Sequence, residues 1–231
     1  MSDLDQGAVL DALDTAYQNV TAAVSGLGAA ELMRPSRCAG WTVADVLYHQ
    51  LLDARRALRT FATPSAAPPD CDDVSYWRGY SPAGGAAGEY AAESAAHARF
   101  VRIAASAYQP EWLTGEWAET AAAACRAARA CGHQAVATQG HVLPVADFAA
   151  TLVVEAAVHY LDLAVALPGA PPPAPAALAL VRRVLDGLLG APLPESWDDV
   201  TAALLGTGRV PLTEDDRAAL GPLAARFPLF G

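Results

Sequence analysis

Residues 151–167 read TLVVEAAVHYLDLAVAL, an apolar stretch that nevertheless carries Glu155, His159 and Asp162. At about 100° per residue, Asp147, Thr151, Glu155, His159 and Asp162 share one narrow line along a helix. Val153, Val154, Ala156, Ala157, Val158, Leu161, Leu163 and Val165 fill the rest of its circumference. A helix that is apolar nearly all round belongs in a core, so the polar line must face the interior or a cleft. An unpaired buried carboxylate costs several kcal/mol, so Glu155 needs a proton, an ion pair or a cation. Glu155 and His159 are one turn apart, with β-carbons separated by about 5–6 Å. Both side chains can therefore converge on one ion at about 2.0–2.2 Å.

A two-residue site is incomplete, and a third ligand must come from another helix. Among His49, His97, His133 and His141, His49 is the best placed, on the edge of the apolar face of the segment GWTVADVLYHQLLDARRALRTF, residues 40–61. Thr42 reads as the N-cap of that helix and Asp45 as its capping-box partner. Asp45 and Asp53 stand one turn either side of His49 and could orient its imidazole; a cap and a solvated charge explain them equally well. Cys125, Cys131, His133 and His141 form a competing set, but their spacing matches no zinc motif. His97 reads as a surface or boundary residue, Trp41 as a core staple, and Arg34 and Arg37 as loop charges.

Helical periodicity dominates the remaining chain, which makes the fold all-α. One helix is expected over about 4–27, the capped helix to about 61, Ala-rich helices over about 88–108 and 111–130, an extended piece at 133–143, the buried helix from Pro144 to before Pro168, and a helix over 175–190. Residues 63–86 read as a long loop whose Trp77 and Tyr80 could cover a pocket. Residues 191–231 read as a mixed tail.

The 231 residues suit one domain with an appendage. A formal net charge of −10 has the wrong sign for gripping nucleic acid or an anionic membrane. Neither a signal peptide nor a membrane span is expected, and the chain reads as cytoplasmic. Its four cysteines lack Cys-x-x-Cys spacing and read as reduced, mostly structural thiols. The composition permits oligomerisation. All fifteen basic residues are Arg, and Ile103 and Asn19 are the sole Ile and Asn; the missing residues have AT-rich codons, so a GC-rich source such as an actinobacterium is expected.

The segments CAGWTVADVLYHQLLD, residues 38–53, and GHVLPVADFAATLVVEAAVHYLDLAVAL, residues 140–167, together resemble the mycothiol-dependent maleylpyruvate isomerase family of the DinB-like superfamily. LLGTGRVPLTEDDRAALG, residues 204–221, looks like the tail of actinobacterial members. The resemblance implies a DinB-like four-helix bundle over 1–170, followed by a short mixed C-terminal extension over 171–231. It also implies a divalent metal, usually zinc, held by His49, Glu155 and His159, with an open position for the sulfur of mycothiol. Thr151 and Asp162 would be supporting contacts. The activity implied is S-transfer to, or isomerisation of, a small electrophile through a metal-bound thiolate, with no further catalytic side chain. A metal-activated-water hydrolase and a non-catalytic metal- or small-molecule-binding protein are the alternatives. Other members carry Arg after the Thr of the second motif, where this chain has Leu152, and the extension is short for the second domain of maleylpyruvate isomerase itself.

Overall fold

The computed structural model describes residues 4–81 and 87–231. Its elements in chain order are α1 (Gln6–Val24), α2 (Ala29–Leu32), α3 (Val43–Phe61), a 3-10 helix (Ser75–Tyr80), α4 (Ala87–Ala105), α5 (Pro110–Ala130), β1 (Ala135–Thr138), β2 (His141–Pro144), α6 (Val145–Ala164), α7 (Pro175–Leu189), α8 (Asp199–Gly206), α9 (Glu214–Leu220) and a second 3-10 helix (Gly221–Arg226). The all-α expectation holds, with one small antiparallel hairpin. Residues 82–86 of the loop expected over 63–86 lie outside the described residues; before them, the loop contains a 3-10 helix that periodicity did not signal. Asp72 explains it: its Oδ1 accepts the Val74 and Ser75 N–H groups at 3.1 and 2.7 Å and starts the turn.

The bundle is made of α1, α3, α5 and α6, packed in a cycle in which α3 and α1 each touch both α5 and α6. Local chemistry sets the ends of these helices. Thr42 caps α3 by accepting the Asp45 N–H, and Asp45 accepts the Thr42 N–H at 2.8 Å, which is the reciprocal capping box. Pro110 opens α5, where a missing N–H costs nothing. Trp117, fully buried on α5, donates its indole N–H to Thr21 Oγ1 on α1 at 3.0 Å and packs edge-on against Tyr17. On the opposite side of the cycle, Gln50 of α3 donates to the Glu155 carbonyl of its neighbour α6 at 3.2 Å.

α6 is the central element: of its twenty residues only Glu155 and Ala164 are not buried. It packs against α1, α3, α7, α8 and the hairpin. The hairpin closes through Gln139 (φ +46°) and Gly140 (φ +81°), the left-handed pair that a two-residue type I′ turn requires. The segment that read as a mixed tail holds α8, α9 and the second 3-10 helix, and it folds back over the bundle. Leu229 donates its N–H to the Gly206 carbonyl at 2.8 Å, and Phe230 stacks on Trp77 with ring centroids 4.5 Å apart. Among the described residues no helix is long and apolar enough to cross a membrane.

Two substitutions should separate capping from packing. Thr42→Ala is expected to lower unfolding stability by about 1 kcal/mol, whereas Leu47→Ala, at a fully buried position, should cost about 2–5 kcal/mol. Urea denaturation monitored by circular dichroism measures both; equal losses would show that the cap does more than terminate the helix.

Candidate metal centre

α3 and α6 present His49, Glu155 and His159 to the same pocket. One ligand atom from each lies within 4.8 Å of the other two. His49 Nε2 stands 3.7 Å and His159 Nε2 3.3 Å from Glu155 Oε2, and the two imidazoles meet edge to face with centroids 4.6 Å apart. Among the described residues no fourth His, Cys, Asp or Glu joins this group. Two imidazole nitrogens and a carboxylate oxygen suit a zinc-class ion and leave a coordination position for an exogenous ligand.

The outer ring nitrogens have partners of their own. His159 Nδ1 is 2.9 Å from Asp162 Oδ2. With protons on both ring nitrogens, His159 donates from Nδ1 to this carboxylate and faces Glu155 with its Nε2–H, the proton that a cation at Nε2 would replace. Asp162 is fully buried and also accepts from Cys38 Sγ at 3.0 Å and from the Arg209 guanidinium at 3.3 Å. His49 Nδ1 is 3.1 Å from His97 Nε2, so the His49 ring is held in the same way from α4. Trp41 packs edge-on against His49 at 5.5 Å.

The charges follow from these contacts. Burial pushes the Glu155 carboxyl up, but hydrogen bonds from His159 and His49 outweigh it and hold the group well below the usual carboxylate range. Burial pulls the His159 imidazole down, yet hydrogen bonding to Asp162, Cys38 and Glu155 prevails and raises it well above the ordinary histidine range. Asp162 is held low by His159 and Arg209 against its own burial. His97 is pulled down by burial and by the neighbouring His49, which keeps it neutral and able to accept.

The supporting residues expected from sequence divide. Asp162 touches His159 directly. Asp53 Oδ2 is 3.9 Å from His49 Nε2, while its Oδ1 pairs with Arg56 at 3.0 Å. Asp45 is used by the capping box, and Thr151 donates to the Phe148 carbonyl of its own helix at 2.8 Å; neither lines the pocket. Trp77 and Tyr80 do line it.

Several residues at the pocket were read otherwise from sequence. His97 is at the surface as expected but also lies against His49, Cys38 bonds Asp162 rather than serving only as packing, and Trp41 packs on His49 at the pocket. Leu152 is buried away from the pocket, whose arginines are Arg56 and Arg209. The pocket has a cavity volume of about 520 Å³, and Gln139, Arg209 and Phe230 complete its wall. Tyr76 ties the wall together, its hydroxyl donating to Gln139 Oε1 at 2.5 Å and lying 3.2 Å from the Tyr80 hydroxyl. The Trp77 indole N–H and the Arg56 Nε–H are buried there without acceptors among the described residues. Cys38 and Arg209 had a signal, their places in the first motif and in the tail segment 204–221; Phe230 had none, because only the folding back of residues 199–231 brings it in.

A family model described as Mycothiol maleylpyruvate isomerase N-terminal domain matches residues 13–164, more than half of the chain. No curated protein and no solved structure gives a significant match.

Two measurements probe this centre. Without a cation His159 is protonated at neutral pH. Its folded-state pKa lies above the unfolded value of about 6.5, so the stabilisation is complete below about pH 6.5 and is lost as pH rises through the folded value. A cation taking Nε2 must displace that proton, so uptake at pH 7 should release about one proton, seen as a buffer-dependent calorimetric enthalpy; a buffer-independent enthalpy would contradict it. Asp162→Asn should weaken cation affinity by about 10–100-fold in a chelator competition, and wild-type affinity would show that Asp162 is not orienting the ligand.

Proposed function

The chain belongs to the mycothiol maleylpyruvate isomerase N-terminal domain family, and on that premise we propose that it is a metal-dependent thiol transferase or isomerase acting on a small electrophile. The observation that carries this reading is the convergence of three donors from two rigid helices on one open pocket, with no fourth ligand side chain among the described residues. His49, Glu155 and His159 would hold the ion, with zinc as the metal and mycothiol as the thiol. Such an ion acidifies a thiol placed against it, so that the sulfur is a thiolate near neutral pH.

The chain's own residues then bind and orient. Asp162 and His97 fix the two imidazoles, so the metal group keeps one geometry while reactants exchange. Arg209 and Cys38 join His159 in donating to Asp162 Oδ2, and the guanidinium offsets its buried charge. Trp77, Tyr80 and Phe230 exclude water on one side, and Arg56 and Arg209 add positive charge that favours a thiolate in the cavity. The sulfur forms a bond to an electrophilic carbon. If a leaving group departs with its electron pair, the product is an S-conjugate. If addition to a double bond is followed by rotation and reversal of the addition, the product is an isomer. Neither outcome requires a protein nucleophile.

His159→Ala should abolish stoichiometric zinc measured by elemental analysis, and full occupancy in that variant would eliminate the three-residue group. Calorimetric titration of the zinc-loaded chain with mycothiol should show saturable binding that is lost in the same variant. Turnover of an ester or amide without any thiol would favour instead the hydrolase, in which water takes the thiol's position.

A further inference from the structure

We propose that Asp70, Cys71 and His141 form a second cation site, separate from the pocket and suited to a soft divalent ion of the zinc class. One ligand atom from each of the three lies within 4.8 Å of the others, and the segment that carries Asp70 and Cys71 is fixed against the hairpin. Ser65 donates its N–H to the Ala135 carbonyl at 3.0 Å, Ala137 to Thr63 at 3.3 Å, and Asp70 to Val142 at 3.0 Å. Val142 returns the contact by donating its N–H to Asp70 Oδ1 at 3.0 Å, so both the backbone and the side chain of Asp70 are held next to the first residue of β2. That residue is His141, whose Nδ1 lies 3.4 Å from the same carboxylate.

An exposed His–Asp pair alone is worth little and needs no cation. The third member changes the chemistry. Thiolate, imidazole and carboxylate form a mixed S, N, O set characteristic of zinc-class ions, and sulfur disfavours magnesium and calcium. Asp70 Oδ1 spends one lone pair on Val142, and a carboxylate has about four acceptor directions in all. The neighbouring Asp72 is not needed as a ligand, since its Oδ1 is committed to the Val74 and Ser75 N–H groups and the Ser75 hydroxyl.

The position gives the site a consequence for the pocket. Cys71 immediately precedes Asp72, whose carboxylate starts the turn into the first 3-10 helix with Tyr76, Trp77 and Tyr80, while His141 follows the Gln139–Gly140 turn. Tyr76 spans the two, with its ring 6.2 Å from that of His141 and its hydroxyl on Gln139. An ion bridging Cys71 and His141 therefore clamps together the two pieces of backbone that build this wall of the pocket.

His159 belongs to both other groups of potential metal ligands, His49–Glu155–His159 and Cys38–His159–Asp162, so its removal isolates the new site. The His159→Ala chain, titrated with Cd²⁺, should still take up one equivalent with a thiolate-to-cadmium charge-transfer absorption in the ultraviolet, and adding Cys71→Ser should remove both. Absence of the band in His159→Ala, or its persistence after Cys71→Ser, overturns the proposal. If circular dichroism shows His159→Ala to be unfolded, the otherwise unaltered chain decides: loss of the band with Cys71→Ser and its retention with Cys38→Ser supports the site, and the reverse overturns it. Because the band reports sulfur, its loss is distinguishable from any failure of the sulfur-free His49–Glu155–His159 group.

Discussion

The placement of the Glu155 carboxylate between His49 and His159 is the constraint on which the rest of the structure depends. α6 is apolar over almost all of its surface and lies at the centre of the bundle, where a lone carboxylate would be costly. Two imidazoles within 4 Å of Oε2 meet that cost without a cation, at the expense of keeping a proton on His159. A divalent ion would replace the proton and use the same three groups. Exchanging one proton for a divalent ion would add one positive charge to the group, which an anionic ligand at the open position would offset.

Each other member of the polar line on α6 meets a local solution of a different kind. Asp147 accepts the backbone N–H of Asp73 at 3.1 Å and so anchors the segment leading to the 3-10 helix. Thr151 returns its hydroxyl to its own helix. Asp162 collects His159, Cys38 and Arg209. One helical face therefore fixes a loop, carries two of the three candidate metal donors and receives the C-terminal extension, in that order along its length.

What the sequence disclosed was what local physics controls. The capping box of Thr42 and Asp45 and the prolines around α6 marked helix ends, because caps and breakers act within a turn. The spacing of Glu155 and His159 disclosed their convergence, because one turn of helix brings them together. His49 needed a guess about which helix faces which, supported by resemblance to a family. His97, Cys38, Arg209 and Phe230 could not be placed by spacing, since each arrives through packing between segments distant in the chain. Arg56 drew no reading from spacing, although its helix face turns toward the pocket, where Asp53 pairs with it. The 3-10 helix escaped because its six residues are too few to show a period.

These differences in origin suggest how the parts of the pocket can vary. The donors sit on α3 and α6, inside the bundle and inside the residues matched by the family, where a shift of either helix would disturb a fully buried core. The opposing wall comes from the 3-10 helix, the hairpin turn and residues 199–231, of which the last segment lies outside the matched span. Loops on a rigid scaffold tolerate substitution and insertion far better than core helices. The three donors can therefore stay fixed while Trp77, Gln139, Arg209 and Phe230 reshape the cavity, and for the activity proposed above, selection among electrophiles would be a property of the wall. Arg209 is the exception, because it also neutralises Asp162; altering it would change the support of His159 together with the cavity, and so couples the extension to the metal centre.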